Sequence, residues 1–462
     1  MKIVLIAVLI MVAVAIPVSM FSWSTWTVIS VDPPVKVIGF QTPVKIHLDN
    51  THGERTIKVD LQQDGKTYNL STEVQPAKHF TFSRGKVAPR DLTVNVGKQA
   101  TPALHDGKAQ ILVTAVSNDF RGVTTSKAFD VDVMTAAPHI VADGVQHYIN
   151  QGGSEMAVFT PTGAWTEAGV KVGNDYTFRS FPLPGHPGQY FSLFAFSWQL
   201  PVDTPVYVYA SNPSGAVAKT TFWYKVFPKK FRASTIPLET MNIDRIVNQI
   251  DTQNKIKGDN VERFVYINSQ MRKVNNKTLA DLRLQTEPKF LWTGAFLPMI
   301  DSTVESRFAD DRTYTWKGKK VDEQTHLGFD LAKLAHSPVP ASNDGKVIWA
   351  EDLGIYGNCI VIDHGYGLQS IYGHLSEFLV KKGDMVKKGQ TIAKTGSTGL
   401  AGGDHLHFTM LIDGVQVNPV EWWDPHWVKD RILSKMGTDL ATSDEPAPAH
   451  TATPKKAKKR RR

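Results

Sequence analysis

The chain has a single cysteine, Cys359, so no intrachain disulfide can form and a disulfide-stapled scaffold is excluded. One thiol does not identify the compartment, because exported proteins without disulfides are common. Charged side chains are missing from residues 3–31, and acidic ones are missing from the final run 455–462, KKAKKRRR. That run carries seven basic side chains, so of the net charge of +8 only +1 is left for the rest of the chain. A nearly neutral body lacks the compositional footprint of a nucleic-acid-binding surface, and no specific nucleic-acid partner is expected.

At 462 residues the chain is long enough for about three domains, each with its own core. A hydrophobic content of 42% and a charged content of 21% are ordinary for globular protein. Glycine (34) and proline (26) are spread along the chain, which suits many short strands joined by turns. Ile3–Met20 is almost wholly aliphatic and comes close to spanning a bilayer, with Trp23 and Trp26 where an interfacial belt would lie. It reads as an uncleaved N-terminal transmembrane helix over residues 1–30. The competing reading is a signal peptide cut near Ala13-Val14-Ala15, which would leave a very greasy new terminus. Both place the body outside the cytoplasm.

The fold class is mainly β. Residues 31–135 carry strand patterns at Val35–Ile38, Val44–Leu48, Thr56–Leu61, Ala109–Val116 and Ala128–Val133, spaced as in an immunoglobulin-like sandwich. A second β-rich module is expected over 136–232, beyond the Ala136-Ala137-Pro138 step. Residues 233–289 change period: Ile243, Ile246, Val247 and Ile250 fall at helical spacing and predict a helical linker, read as a spacer packed on its neighbour. Strands return over 290–436, at Lys346–Trp349, Cys359–Asp363, Leu368–Tyr372, Thr391–Lys394 and His405–Ile412. Residues 437–462, rich in Ala, Pro, Thr and Ser before the basic run, predict a disordered tail. Contact of that tail with an anionic polymer or lipid is weighed against a merely solvated segment.

The chemistry concentrates in two short stretches. In His405-Leu406-His407, an extended strand turns both imidazoles to one side and Leu406 to the other. In His326-Leu327-Gly328-Phe329-Asp330, the same alternation puts His326, Gly328 and Asp330 on one face. His326, Asp330 and His407 together supply two imidazoles and a carboxylate, a donor set that suits zinc better than calcium or magnesium. A peptide hydrolase also needs groups to move protons and hold a developing oxyanion. His405 and His374, the latter in Tyr372-Gly373-His374-Leu375, are the candidates.

These residues lie in a span, from about Ser306 to Trp423, that closely resembles the lysostaphin-like, or LytM-type, zinc endopeptidases of bacterial peptidoglycan. His326–Asp330 is similar to that family's His-x-Gly-x-Asp motif. Gly357–Gly365 (GNCIVIDHG) with Ile371–Leu375 (IYGHL) resembles its central hairpin. Val380–Gln390 matches its glycine-turn segment, and Thr395–Gly399 (TGSTG) leads into His405-Leu406-His407 as in the family. The resemblance implies one zinc ion per domain held by His326, Asp330 and His407, with His374 and His405 as catalytic histidines, and a C-terminal antiparallel β-sheet metallopeptidase domain. It covers about a quarter of the chain and says nothing direct of residues 31–285. Ser306–Arg312 (SRFADDR) departs from the family's Ser-x-Phe-Gly-x-Arg-like stretch, a change expected to bear on specificity rather than on metal binding.

The expected protein is therefore a zinc metalloprotease of the bacterial cell envelope, a hydrolase cutting peptidoglycan cross-links or stems. Its body would be held in the periplasm or outside the cell by the membrane segment, or secreted if that segment is cut. The alternative is a non-catalytic cell-wall protein that regulates or recruits another hydrolase. His336, His364 and His426 have no partner at a ligand spacing and read as structural or solvent-facing. Cys359, in an apolar strand, reads as a small buried side chain.

Overall fold

The computed structural model describes residues 2–79 and 85–436; the basic tail predicted over 437–462 lies outside the described residues. The N-terminal apolar run forms helix α1 (Lys2–Ser22). Among the described residues no helix is long and apolar enough to cross a membrane. The chain divides into two compact units. One comprises Met1–His139, Thr162–Glu167 and Ala210–Ala218; the other comprises Ile140–Pro161, Ala168–Tyr209 and the described residues from Lys219 onward.

The first unit follows from period-two alternation. In Thr42–Asp49, Val44, Ile46 and Leu48 are buried while Lys45 faces out. Val28–Val31, Thr42–Asp49 and Arg90–Val96 make one sheet. Val37–Ile38, Thr124–Val133, Gly107–Ser117, Glu54–Gln63 and Lys66–Val74 make a second, in that order. Ile46 and Leu48 of the first sheet share a core with Val59, Leu61, Ile111 and Val113 of the second. Lys66–Val74, absent from the sequence reading, is an edge strand with no fully buried residue, so it carries little apolar pattern to read. Just past α1, Ser24 Oγ donates to Asp119 Oδ1 (2.6 Å) and the Thr25 amide donates to Asp119 Oδ2 (3.2 Å), which ties the end of the helix to this unit.

The second unit holds the metal motifs. Its main sheet runs Thr303–Ser306, Phe329–Ala332, Leu406–Ile412, Leu368–Leu375, Asn358–Gly365, Gly345–Asp352 and Met385–Val386, with Val415–Val417 also pairing with Leu406–Ile412. Leu368–Leu375 and Leu406–Ile412 are buried on both faces, their polar members Gln369, Ser370, His374, His407 and Thr409 included. The predicted linker forms α2 (Ile243–Ile250), α3 (Asn260–Tyr266) and α4 (Arg272–Asp281), with one π-helical turn, Ile267–Met271, between the last two. Asn242 caps α2 through Arg245 N (3.0 Å), and Asp259 with Glu262 forms a capping box at α3. Ile246, Val247, Phe264, Ile267 and Leu279 bury against Tyr314, Val361, Ile371 and Leu411, so these helices are part of the peptidase core.

Strands from 140–209 pack on the same body through buried polar contacts. Lys435 Nζ donates to Glu155 Oε1 (2.7 Å), both side chains being enclosed. Glu421 accepts from Asn150 Nδ2 (2.7 Å) and from the Ser154 amide (2.8 Å). Burial pushes the Glu421 carboxyl up to about 7 in spite of those donors. The unfolded chain releases this proton near 4.5, so between about 4.5 and 7 the folded chain holds a proton that the unfolded chain has lost. The associated stability is complete below that window and falls by about 3 kcal/mol as pH rises through it. Urea unfolding at pH 5 and pH 8 checks this: between those values Glu421→Gln should lose less stability than the wild type, by roughly 2–3 kcal/mol.

Candidate metal centre

His326 closes the strand Lys319–His326, whereas Asp330 lies in Phe329–Ala332, a strand of the main sheet. The expected single strand carrying both residues is therefore broken at Leu327-Gly328. The break still delivers both side chains to one point, because Asp330 pairs directly with His407 in the ladder. Gly328 makes the arrangement possible: a Cβ there would come within 2.5 Å of His407 Cε1 and 2.9 Å of the Phe408 carbonyl oxygen. Gly373, opposite His407 on the other side, is less constrained, since a Cβ there would fall 3.4 Å from His407 Cβ, an ordinary contact.

The three donor atoms converge. His326 Nε2 lies 2.9 Å from Asp330 Oδ1 and 3.0 Å from His407 Nδ1, and His407 Nδ1 lies 3.1 Å from Asp330 Oδ1. All three residues are buried. Their outer atoms are largely fixed. His326 Nδ1 donates to the Arg307 carbonyl (3.2 Å), which leaves the Nε2 lone pair facing inward. Asp330 Oδ2 accepts from Arg312 (2.9 Å). His407 Nε2 is buried with no hydrogen-bond partner among the described residues, so Nδ1 is the nitrogen through which this ring meets the others. Two imidazoles and one carboxylate oriented this way fit zinc.

The flanking histidines come from two further segments. His374 ends Leu368–Leu375 in the left-handed region, φ 61°, a conformation unusual for a side-chain-bearing residue. Its Nδ1 donates to the Thr398 carbonyl (2.8 Å), and Thr398 Oγ1 in turn donates to the Leu375 carbonyl (2.9 Å). The TGSTG turn is thus the clamp that sets His374. That turn is itself held by Arg245 Nη1, which donates to the Ser397 carbonyl (3.3 Å), and by Gln249 Nε2, which donates to the same oxygen (3.2 Å), both from α2. His405 bridges to Gly396, and its Nε2 lies 3.4 Å from Asp330 Oδ1. The His374 and His405 rings are 4.8 Å apart.

The electrostatics separate these groups. Burial raises the Asp330 carboxyl, but the His326 charge and hydrogen bonds from His326, His405 and His407 outweigh it and hold it well below the usual range. Burial, reinforced by His405 and His407, drives His374 far below its ordinary value. Burial also opposes a charge on His405, yet its contact with Asp330 prevails and raises it. His407 is lowered to about 4 by burial. A cavity of about 30 Å³ adjoins the centre, bounded by the candidate ligands, His374, Tyr356, Leu400, Arg272 and Arg312.

The Ser306–Arg312 stretch reaches the centre from one side. It supplies Arg312, which bonds Asp330 directly and also donates to Ser306 Oγ (2.8 Å). Ala309 adopts φ 59° there, at the position where the resemblance expects glycine, and its amide donates to the His326 carbonyl (2.7 Å). Left-handed geometry costs a side-chain-bearing residue about 1 kcal/mol, partly offset by the greater unfolded-state freedom of glycine. Ala309 is also fully buried, and loss of its methyl costs about 0.8 kcal/mol, so Ala309→Gly should match the wild type in zinc content and stay within about 1 kcal/mol of it in stability, read from urea midpoints. His364, by contrast, is buried and bonded to the Asp344 carbonyl (2.7 Å) and Ser370 Oγ (2.8 Å), a structural role. His336 and His426 are exposed. Cys359 is buried and burial pushes its thiol well up, which makes it inert.

A buried two-histidine, one-carboxylate centre on an antiparallel sheet, with two more imidazoles beside it, is the site of a metallopeptidase-type domain. Comparison with known proteins agrees: residues 324–419 match the family described as Peptidase family M23. The chain is 39% identical over 126 residues to the DD-carboxypeptidase/endopeptidase Mpg of Neisseria meningitidis serogroup B, covering 27% of this chain and 27% of that protein. It is 41% identical over 96 residues to the peptidoglycan DD-endopeptidase ShyA of Vibrio cholerae, covering 21% of this chain and 22% of that protein. A crystal structure of a putative peptidase M23 from Pseudomonas aeruginosa aligns with 58% of this chain and 92% of that one, at 21% identity and a TM-score of 0.37. The chain thus spans about a quarter of the length of the curated relatives it matches. Residues 324–419 thus form a domain of the Peptidase family M23 type, similar to relatives named as peptidoglycan DD-endopeptidases.

Proposed function

We propose that the chain is a zinc-dependent endopeptidase that hydrolyses peptide bonds in peptidoglycan cross-links or stems. The observation that carries this reading is the convergence of three buried donor atoms within 2.9–3.1 Å of one another, with the outer atoms of His326 and Asp330 tied back. Bound there by His326, Asp330 and His407, zinc supplies an activated water and a Lewis acid for the scissile carbonyl. His374, with Nδ1 committed to Thr398, presents the lone pair of Nε2 and accepts the proton released by the attacking water. His405, with Nδ1 donating to the Gly403 carbonyl (3.0 Å), turns Nε2 toward the centre and donates to the carbonyl oxygen as it gains charge.

Release of soluble fragments from purified peptidoglycan, read by mass spectrometry, tests the assignment. The zinc-loaded full chain should release fragments whose masses identify the bond, and a chelator should stop it until zinc is returned. Zinc binding without fragment release would instead support the regulatory alternative. We also infer that α1 anchors the body to a membrane, on the support of its exposed apolar side chains, among them Ile6, Leu9, Ile10 and Met11. The full chain should then stay with the membrane fraction after carbonate washing, and its release by that wash would refute the anchor.

A further inference from the structure

We propose that Arg272 recognises a free carboxylate on the substrate peptide next to the cleaved bond; this rests on the peptidase reading above. Arg272 immediately follows the π-helical turn Ile267–Met271, which adds a residue to one turn and re-aims the side chains beyond it. It borders the same cavity as His326, Asp330, His374 and His407. Its position is fixed from behind. Nε donates to the Asn268 carbonyl (3.0 Å) and Nη2 donates to Asn268 Oδ1 (2.6 Å). Asn268 is itself fully buried and donates to Asp322 Oδ2 (2.7 Å).

Charge distinguishes the two arginines that border the cavity. Arg312 is matched by Asp330 (2.9 Å) and Asp310 (3.4 Å). Among the described residues no carboxylate oxygen comes within 4.0 Å of Arg272, and both of its fixed contacts are to a neutral amide residue. A guanidinium has five N–H donors in a planar fork, so donors remain for a ligand after Asn268 is served. A half-buried, positioned cation that lacks an anionic partner is matched by an incoming carboxylate, which it can hold by two parallel hydrogen bonds. Stabilisation of the reacting carbonyl oxygen is the competing role. Arg272, however, bonds none of the three candidate ligands, whereas the His405 ring does reach Asp330 (3.4 Å).

The test uses the zinc-loaded full chain and two pairs of synthetic peptides. Within each pair the carboxylate beside the cleaved bond is free or amidated, at the chain end in one pair and on a side chain in the other. Wild-type protein should prefer the carboxylate form of one pair by about 10–100-fold in kcat/KM, as expected for hydrogen bonds to a charged group. The responding pair identifies which carboxylate is read. Arg272→Gln should bring the ratio toward one, with the loss on the carboxylate peptide falling in KM, and Arg272→Lys should restore part of it. A wild-type ratio near one in both pairs, or a ratio unchanged in Arg272→Gln, overturns the proposal. An equal fall in kcat on both forms does so too, because it would place Arg272 at the reacting carbonyl. Should no peptide be cut, the peptidase reading fails separately, and calorimetric titration with the same peptides decides. Tighter binding of a carboxylate form that Arg272→Gln abolishes keeps the inference, and equal binding of both forms overturns it.

Discussion

His407→Ala should reduce peptidoglycan cleavage by about 10³-fold or more and remove stoichiometric zinc from the purified protein. The ion contributes several kcal/mol to the transition state, at 1.36 kcal/mol per decade of rate. His407 Nδ1 lies 3.0 Å from His326 Nε2 and 3.1 Å from Asp330 Oδ1, so its loss opens a third of the donor set while the other two stay anchored by Arg307 and Arg312. Because the ion binds only the folded chain, zinc should raise the wild-type melting temperature. An excess of 100 times Kd is worth about 2.7 kcal/mol. The variant should melt at a temperature that zinc does not change. Zinc content measured by elemental analysis, together with the two melting curves, checks the role without reference to activity. A variant that keeps one equivalent of zinc would exclude His407 as a ligand.

His374→Ala should behave differently: full zinc content, with kcat lowered by about 10²–10⁴-fold, the range expected for a lost general base. The distinction follows from the geometry, because His374 hydrogen-bonds Thr398 and no candidate ligand, and its ring centroid stands 5.8 Å from that of His407. Its left-handed backbone, φ 61°, calls for a companion variant. Asparagine tolerates that region better than alanine, so His374→Asn should fold at least as well and be equally impaired. Loss of zinc from both variants would assign His374 to the metal rather than to proton transfer.

The site was legible in the sequence to an unusual degree, for a physical reason. Strand alternation projects residues i and i+2 to one side, so His405-x-His407 carries its geometry in its spacing. The His326–Asp330 stretch was legible only in outcome. The side chains do meet, but across a break between two strands that alternation could not signal. Helical period in 243–250 predicted α2, yet not that Arg245 and Gln249 would hold the turn that positions His374.

What the sequence by itself determined is the local chemistry: a mainly β chain and a donor set suited to zinc. These follow from short-range rules, since side-chain periodicity and ligand type act within a few residues. The tertiary structure alone decided which groups fix the donors and what borders the cavity. Arg312 reaches Asp330 across 18 positions, Thr398 reaches His374 across 24, and Arg272 joins the site from a helical region whose periodicity left spacer, packing arm and lid open. Such contacts depend on how buried apolar faces from distant segments pack together, and that packing is a property of the whole core rather than of any stretch within it.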